Sequence, residues 1–192
     1  MSYTKERTYE KLLAQLGEEL SVSCECLFVD PIADIAVLGM PDEQELSEEA
    51  EGYEALVEAA TPLIIAEPPG MPVAEQVADL AQFGLDQKAA MHECPARILS
   101  LNNQWFPCRV RYFSDGMLMI ENAARGIMGG MSGSPIITED GKAIGIVCIG
   151  SEVHPEGDEL TEPLHHPTEG GPNPRLMGNL PGWLLKKLSH NN

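Results

Sequence analysis

A serine set among glycines is the stretch of this chain best equipped for chemistry. Gly129-Gly130-Met131-Ser132-Gly133-Ser134-Pro135 places glycine on both sides of a hydroxyl, and glycine admits backbone conformations that other residues avoid. Such a loop can turn several peptide N–H groups toward one point and expose one hydroxyl beside them. Acyl transfer needs that combination, a nucleophilic oxygen next to donors for the oxyanion. The chain leaves the loop as Ile136-Ile137-Thr138, turns at Glu139-Asp140-Gly141-Lys142 and returns from Ala143 to Ile149. A tight turn between β-branched runs reads as a hairpin, so the serine lies on a loop entering a strand. The second group of interest is Asp34, which opens Asp34-Ile35-Ala36-Val37-Leu38. A carboxylate at the start of a buried strand can be held against an imidazole and stabilise the ion pair formed during reaction.

These residues resemble the trypsin-like (chymotrypsin-fold) serine peptidases, whose nucleophile lies in a Gly-x-Ser-Gly-Gly-Pro loop followed by a hairpin. Ser134 stands where that pattern has its second glycine after the nucleophile. The resemblance is to a bacterial-type branch in which Gly-Gly-Met-Ser-Gly-Ser-Pro and Asn-Leu-Pro-Gly-Trp-Leu-Leu recur, and it spans about residues 20 to 188. It implies that Ser132 is the nucleophile of a serine endopeptidase acting through an acyl-enzyme, and that the N–H groups of Gly130 and Ser132 form the oxyanion hole. It makes Asp34 the acid of the triad; Asp30 is the weaker candidate because no such strand motif follows it. Gly126, six residues before the serine, would form the base of the specificity pocket, which is then neutral and not suited to Arg or Lys. The implied fold is mostly β, a chymotrypsin-like double antiparallel barrel ending in a helix on the outside. Two other readings compete. The nucleophile elbow of α/β-hydrolases needs Gly-x-Ser-x-Gly on a strand-to-helix turn, which Ser134 breaks and the strand after Pro135 contradicts. A glycine-rich turn with incidental serines does not account for the proline and the hairpin beyond it.

In the family the resemblance points to, the histidine precedes the aspartate. None precedes Asp34 here; the five are His92, His154, His165, His166 and His190. The strands that carry and precede that histidine are also missing, so the first barrel is expected to be incomplete. Removing the general base of such a triad costs about 10⁶-fold in kcat. The expectation is a chain without turnover as it stands, either because its recorded start lies downstream of the true one or because it is a relative that has given up catalysis. The alternative function is a non-catalytic peptide-binding module, a pseudopeptidase. In both, the partner is a peptide or protein.

No cofactor and no metal are expected. His154, His165 and His166 lie among Glu152, Glu156, Asp158 and Glu162 in a stretch with no element to fix ligand geometry. His92-Glu93-Cys94 reads as part of a joint, and Trp105 and Phe106 as core. The net charge is −18, which disfavours nucleic acid and anionic lipid as partners. No Lys or Arg occurs between Leu12 and Gln87, where 17 acids stand. That half could take a basic partner, though a solvated, self-repelling face is the simpler account. Five cysteines without a Cys-x-x-Cys fit free thiols in a reducing compartment. The first residues carry no apolar signal core and no run reaches membrane-spanning length, so the expected location is cytoplasmic.

The elements that would position the site follow from periodicity. Residues 3–16 space Tyr9, Leu12, Leu13 and Leu16 as an amphipathic helix ending at Gly17. Strands are expected at 21–29, 34–39 and 62–66, with an acidic helix inserted at 42–60. These form the remnant of the N-terminal barrel, residues 1–90, and a short helix near 73–81 lies in the joint. Residues 91–192 form the C-terminal barrel: strands at 96–101, 105–112 and 117–121, the serine loop, the hairpin, a polar stretch to Pro174, and a helix at 181–188. The incomplete barrel leaves strand edges open, so self-association through that half, or covering of an edge by residues 3–16, is expected.

Overall fold

Alternation of buried and outward side chains along the strands at 92–99, 105–112 and 117–121 builds the central sheet of this molecule. The computed structural model describes residues 10–70, 92–112, 116–148 and 173–190. They fall into two units, Met1–Pro62 and Leu63–Asn192, and the protein is mostly β.

The first unit holds a three-stranded antiparallel sheet in the order β1 (Glu10–Leu13), β2 (Val22–Asp30), β3 (Ile35–Gly39). The helix expected at 3–16 is therefore not formed over its described part. Glu10 pairs with Cys24 and Lys11 with Ser23, covering one edge of β2 as the open-edge argument anticipated. The helical spacing of Leu12 and Leu16 is incidental, since both remain exposed. Ladder hydrogen bonds to an otherwise open edge outweigh the weak preference of a short isolated helix. The apolar alternation of β2 is broken by an irregularity between Cys26 and Phe28, which leaves Cys26 exposed while Cys24 stays buried. Helix α1 (Ser47–Ala59) packs on β2. It buries Ala50 and half-buries Leu46, Tyr53 and Leu56, while Val57 is exposed. Burial raises the Tyr53 phenol, and nearby Cys24 adds to the shift.

The second unit holds a six-stranded sheet in the order β8-β7-β4-β5-β6-β9, with every pairing antiparallel. The strands are β4 (His92–Leu99), β5 (Trp105–Tyr112), β6 (Met117–Glu121), β7 (Pro135–Thr138), β8 (Ala143–Ile146) and β9 (Asn173–Pro174). A bridge from Gly145 to Arg175 brings β8 back to the chain leaving β9, so the sheet is nearly closed. Gly145 suits that closure because a Cβ there would overlap Leu118 and stand 3.0 Å from the Pro174 carbonyl. Cys94, Ala96 and Ile98 of β4 face inward with Phe106, Cys108 and Val110 of β5 and Leu118 and Ile120 of β6. Trp105, read as core from the sequence, is exposed; its neighbour Phe106 is the core residue. The outward positions carry charge instead. Arg111 bridges Glu93 and Glu121 at 2.8 and 3.3 Å, and its hydrogen bond holds the Glu93 carboxyl below the usual range.

Four more segments depart from expectation. His92-Glu93-Cys94, read as part of a joint, opens β4, which runs from His92 to Leu99 rather than over 96–101 because its ladder with β5 extends to the His92–Tyr112 pair. Residues 63–66 join the second unit, where Ile65 lies parallel to Ala143 and the Ala143 N–H donates to the Ile64 carbonyl at 2.8 Å. Asn173–Pro174, assigned to a polar stretch, forms β9. A short helix α2 (Leu176–Asn179) precedes the expected terminal helix, α3 (Gly182–His190). The helix anticipated near 73–81 lies outside the described residues, as does the whole stretch from 150 to 172. Among the described residues no helix is long and apolar enough to cross a membrane.

Candidate functional site: the serine loop

Residues 126–134 form the later part of the connection from β6 to β7, and their shape comes from one buried side chain and four short bonds. Met131 is 1% exposed and packs in the core with Ile127, Ile136 and Val147. Its N–H donates to the Met128 carbonyl at 3.1 Å, its carbonyl accepts from Ser134 N–H at 2.9 Å, and its Sδ lies 3.4 Å from the Met128 N–H. The chain thus makes two successive turns around a plugged methionine. Gly133 N–H donates to the Val147 carbonyl at 2.7 Å, and Val147 N–H to the Ser134 carbonyl at 2.9 Å, tying the loop to the strand that returns from the hairpin.

Gly130 and Gly133 have φ of 90° and 84°, a region that side-chain-bearing residues enter at a cost. That is the physical reason for glycine on each side of the Met131-Ser132 pair. Ser132 itself is exposed. Its hydroxyl donates to the Cys148 carbonyl at 3.4 Å, longer than an ordinary O–H···O bond, so it is weakly held. The peptide N–H groups of Gly130 and Ser132 have no hydrogen-bond acceptor among the described residues. Gly126 is exposed, with no heavy atom within 4 Å of where a Cβ would stand.

The hairpin beyond the loop is pinned by Thr138. Its N–H donates to the Lys142 carbonyl at 2.9 Å, its carbonyl accepts from Gly141 N–H at 3.0 Å, and its hydroxyl donates to Asp140. That last bond holds the Asp140 carboxyl below its usual range.

Sequence reasoning missed Asn173. It is fully buried, and its Oδ1 accepts from the Cys148 N–H at 2.7 Å. It thereby holds the peptide whose carbonyl, that of Val147, accepts from Gly133 N–H in the serine loop. The only signal for it was an Asn-Pro pair within a stretch that reads as polar loop.

Asp34 belongs to the first unit and Ser132 to the second. Asp34 ends the β2–β3 turn with φ of 53°, and it is exposed. Asp30 starts that turn, and its Oδ1 accepts from the N–H groups of Ile32 and Ala33 at 2.9 and 3.2 Å. Asp30 therefore has a structural role of its own.

His92 begins β4, stacked on Tyr112 with ring centroids 5.5 Å apart. The serine loop enters β7 at the other end of β4, since Ile136 pairs with Ile98. Six residues of strand separate His92 from Ile98, about 20 Å at the strand rise. His92 is thus not poised to take a proton from Ser132. His154, His165 and His166 lie outside the described residues, and His190 lies in α3. The described residues hold no cluster of potential metal ligands.

The three inward thiols of the chain are buried. Burial pushes the Cys108 thiol up to about 12, with Cys94 acting in the same direction, and burial also raises Cys94. These are packing groups rather than nucleophiles.

No family model, curated protein or solved structure matches the chain.

Proposed function

We propose that the second unit carries a serine-endopeptidase-type site with Ser132 as the nucleophile, and that the nearly closed six-stranded sheet is the second barrel of a chymotrypsin-like fold. The observation that carries this reading is the exposed, weakly held Ser132 hydroxyl on a loop fixed from below by Met131. The N–H groups of Gly130 and Ser132 have no acceptor among the described residues, which suits them to an oxyanion. Attack by Ser132 Oγ on a peptide carbonyl would form the acyl-enzyme and release the amine, and water would then free the acid. Gly126 is read as the floor of a neutral pocket, and Asp34 as the acid that would orient a base.

Among the described residues His92 stands about 20 Å along β4 from the loop and is not poised to serve as its base. That observation favours the second reading, in which the loop binds peptide without turnover. The two readings share one surface and differ in whether a base is supplied. Five cysteines without a Cys-x-x-Cys suit either activity to a reducing compartment such as the cytoplasm.

The test is covalent labelling by a fluorophosphonate, followed by peptide mapping, with and without a high concentration of free imidazole as substitute base. Labelling at Ser132 that imidazole accelerates and Ser132→Ala abolishes supports the peptidase reading. No labelling, with peptide still shifting the loop amides in NMR spectra, supports the binding module. Labelling of Ser134 in preference to Ser132 would sink the assignment.

A further inference from the structure

We infer that Arg125 recognises a carboxylate on the peptide that the serine loop takes, so that acidic peptides are its preferred class. This rests on the reading of Ser132 as the centre of a peptide site. The motivating observation is an arginine left without a carboxylate in an acidic chain. Acids outnumber Lys and Arg by 30 to 12, and Arg109, Arg111, Lys142 and Arg175 of the second unit each have an acidic partner. Among the described residues Arg125 has none; its Nη1 donates to the Gln104 Oε1 at 3.3 Å. Among them Arg97 also lacks a carboxylate, but it stands on the outer face of β4.

Arg125 is brought to the serine loop by the β4–β5 turn. Ser100 fixes that turn, its hydroxyl donating to the Gln104 carbonyl at 2.7 Å, and Asn103 N–H donates to the Ser100 carbonyl at 3.0 Å. Gln104, at one end of the turn, holds the Arg125 guanidinium. Leu101, in the middle, lies against Gly130, its Cδ1 being 3.6 Å from the position of a Cβ there. One rigid turn therefore touches both the arginine and the loop that bears Ser132. Leu101 and Met128 are exposed beside them, at 43% and 58%. A ligand spanning this area meets apolar side chains and one fixed cation with donors to spare.

The overall charge does not forbid an acidic ligand. At physiological salt, charges more than about 8 Å away are largely screened, so the nearest cation decides the local preference.

Two hexapeptide amides, acetylated and with a central leucine, test the inference. One carries glutamate at alternate positions and the other glutamine. Each is titrated into the full chain at 0.15 M salt while the amide signals of residues 129–133 are followed by NMR. The quantity read is the preference for the glutamate peptide, in the native chain and in Arg125→Gln. Because general repulsion acts equally on both proteins, it cancels in this comparison. Arg125→Gln should lower the preference about fivefold, the ratio that about 1 kcal/mol for an exposed charge pair gives. Arg125→Lys should keep part of it. A change below twofold while both peptides shift residues 129–133 overturns the role of Arg125 and leaves the serine-loop reading standing. If neither peptide shifts those amides, both fall.

Discussion

Met131→Ala should cost the second unit about 3 kcal/mol and loosen the serine loop with it. Met131 is 1% exposed within the core cluster, and truncating a buried methionine to alanine removes transfer energy and leaves a cavity, together about 2–5 kcal/mol. The middle of that range is expected because the cavity lies under a loop that can partly collapse, while the contact of Met128 N–H with Sδ is lost as well. Urea unfolding followed by tryptophan fluorescence is the assay. Both tryptophans of the chain, Trp105 and Trp183, lie in the second unit, so the signal reports that unit. At a slope of about 2 kcal/mol per M, the midpoint should fall by about 1.5 M. Met131→Leu, which conserves volume, should cost less than about 1.5 kcal/mol, and Met128→Ala, at an exposed site, less than about 0.5 kcal/mol. If Met131→Ala shifts the midpoint no more than Met128→Ala, the loop is not anchored from below and the reasoning fails.

Gly133→Ala should cost about 1–2 kcal/mol through backbone strain alone, because nothing stands within 4 Å of the added Cβ; the same urea midpoints check it, with Gly126→Ala as the unstrained control. Tyr112→Phe should lose about 1 kcal/mol, since the phenol donates to the Pro69 carbonyl at 2.7 Å. Alkaline pH should destabilise the second unit through Cys108. An unfolded thiol ionises near 8.5, whereas the native thiol is pushed up to about 12. Stability is therefore intact below about pH 8 and falls as pH rises toward 12, by at most about 1.4 kcal/mol per pH unit for this group. Midpoints at pH 8 and pH 10 should converge in Cys108→Ala relative to the native chain.

Strands β5 to β8 were legible because each carries a local signal without interference, whereas β4 was legible only from Ala96 on and β9 not at all. In β5 the alternation Phe106, Cys108, Val110, Tyr112 inward needs no tertiary knowledge, and its bounds match the expected 105–112. The serine loop was legible for a related reason: Gly130 and Gly133 are explained by their local φ values alone. What failed depends on partners distant in sequence. Leu12 and Leu16 offered a helical stripe with nothing to bury it against, and pairing of Glu10 with Cys24 prevailed. Residues 63–66 read as a strand, but the sequence could not say that Ala143 would be their neighbour. Asn173 was invisible because its task, holding the Cys148 N–H, exists only once β9 has returned beside β6.

The serine loop has a further property that bears on both readings of its function. Among the described residues the bonds that shape it join residues of the second unit: Met131 to Met128 and Ser134, Gly133 and Ser134 to Val147, and Asn173 to Cys148. Neither Asp34 nor a histidine contributes to those bonds. The geometry that presents the Ser132 hydroxyl is thus independent of the groups that would move its proton. Loss of a base would abolish turnover without costing this loop any of the bonds that hold it. A chain could then keep a formed peptide surface after catalysis is gone, and a supplied base would find the nucleophile already in place. For this reason a rate gained with free imidazole, with no change in loop stability, is the most discriminating observation between peptidase and binding module.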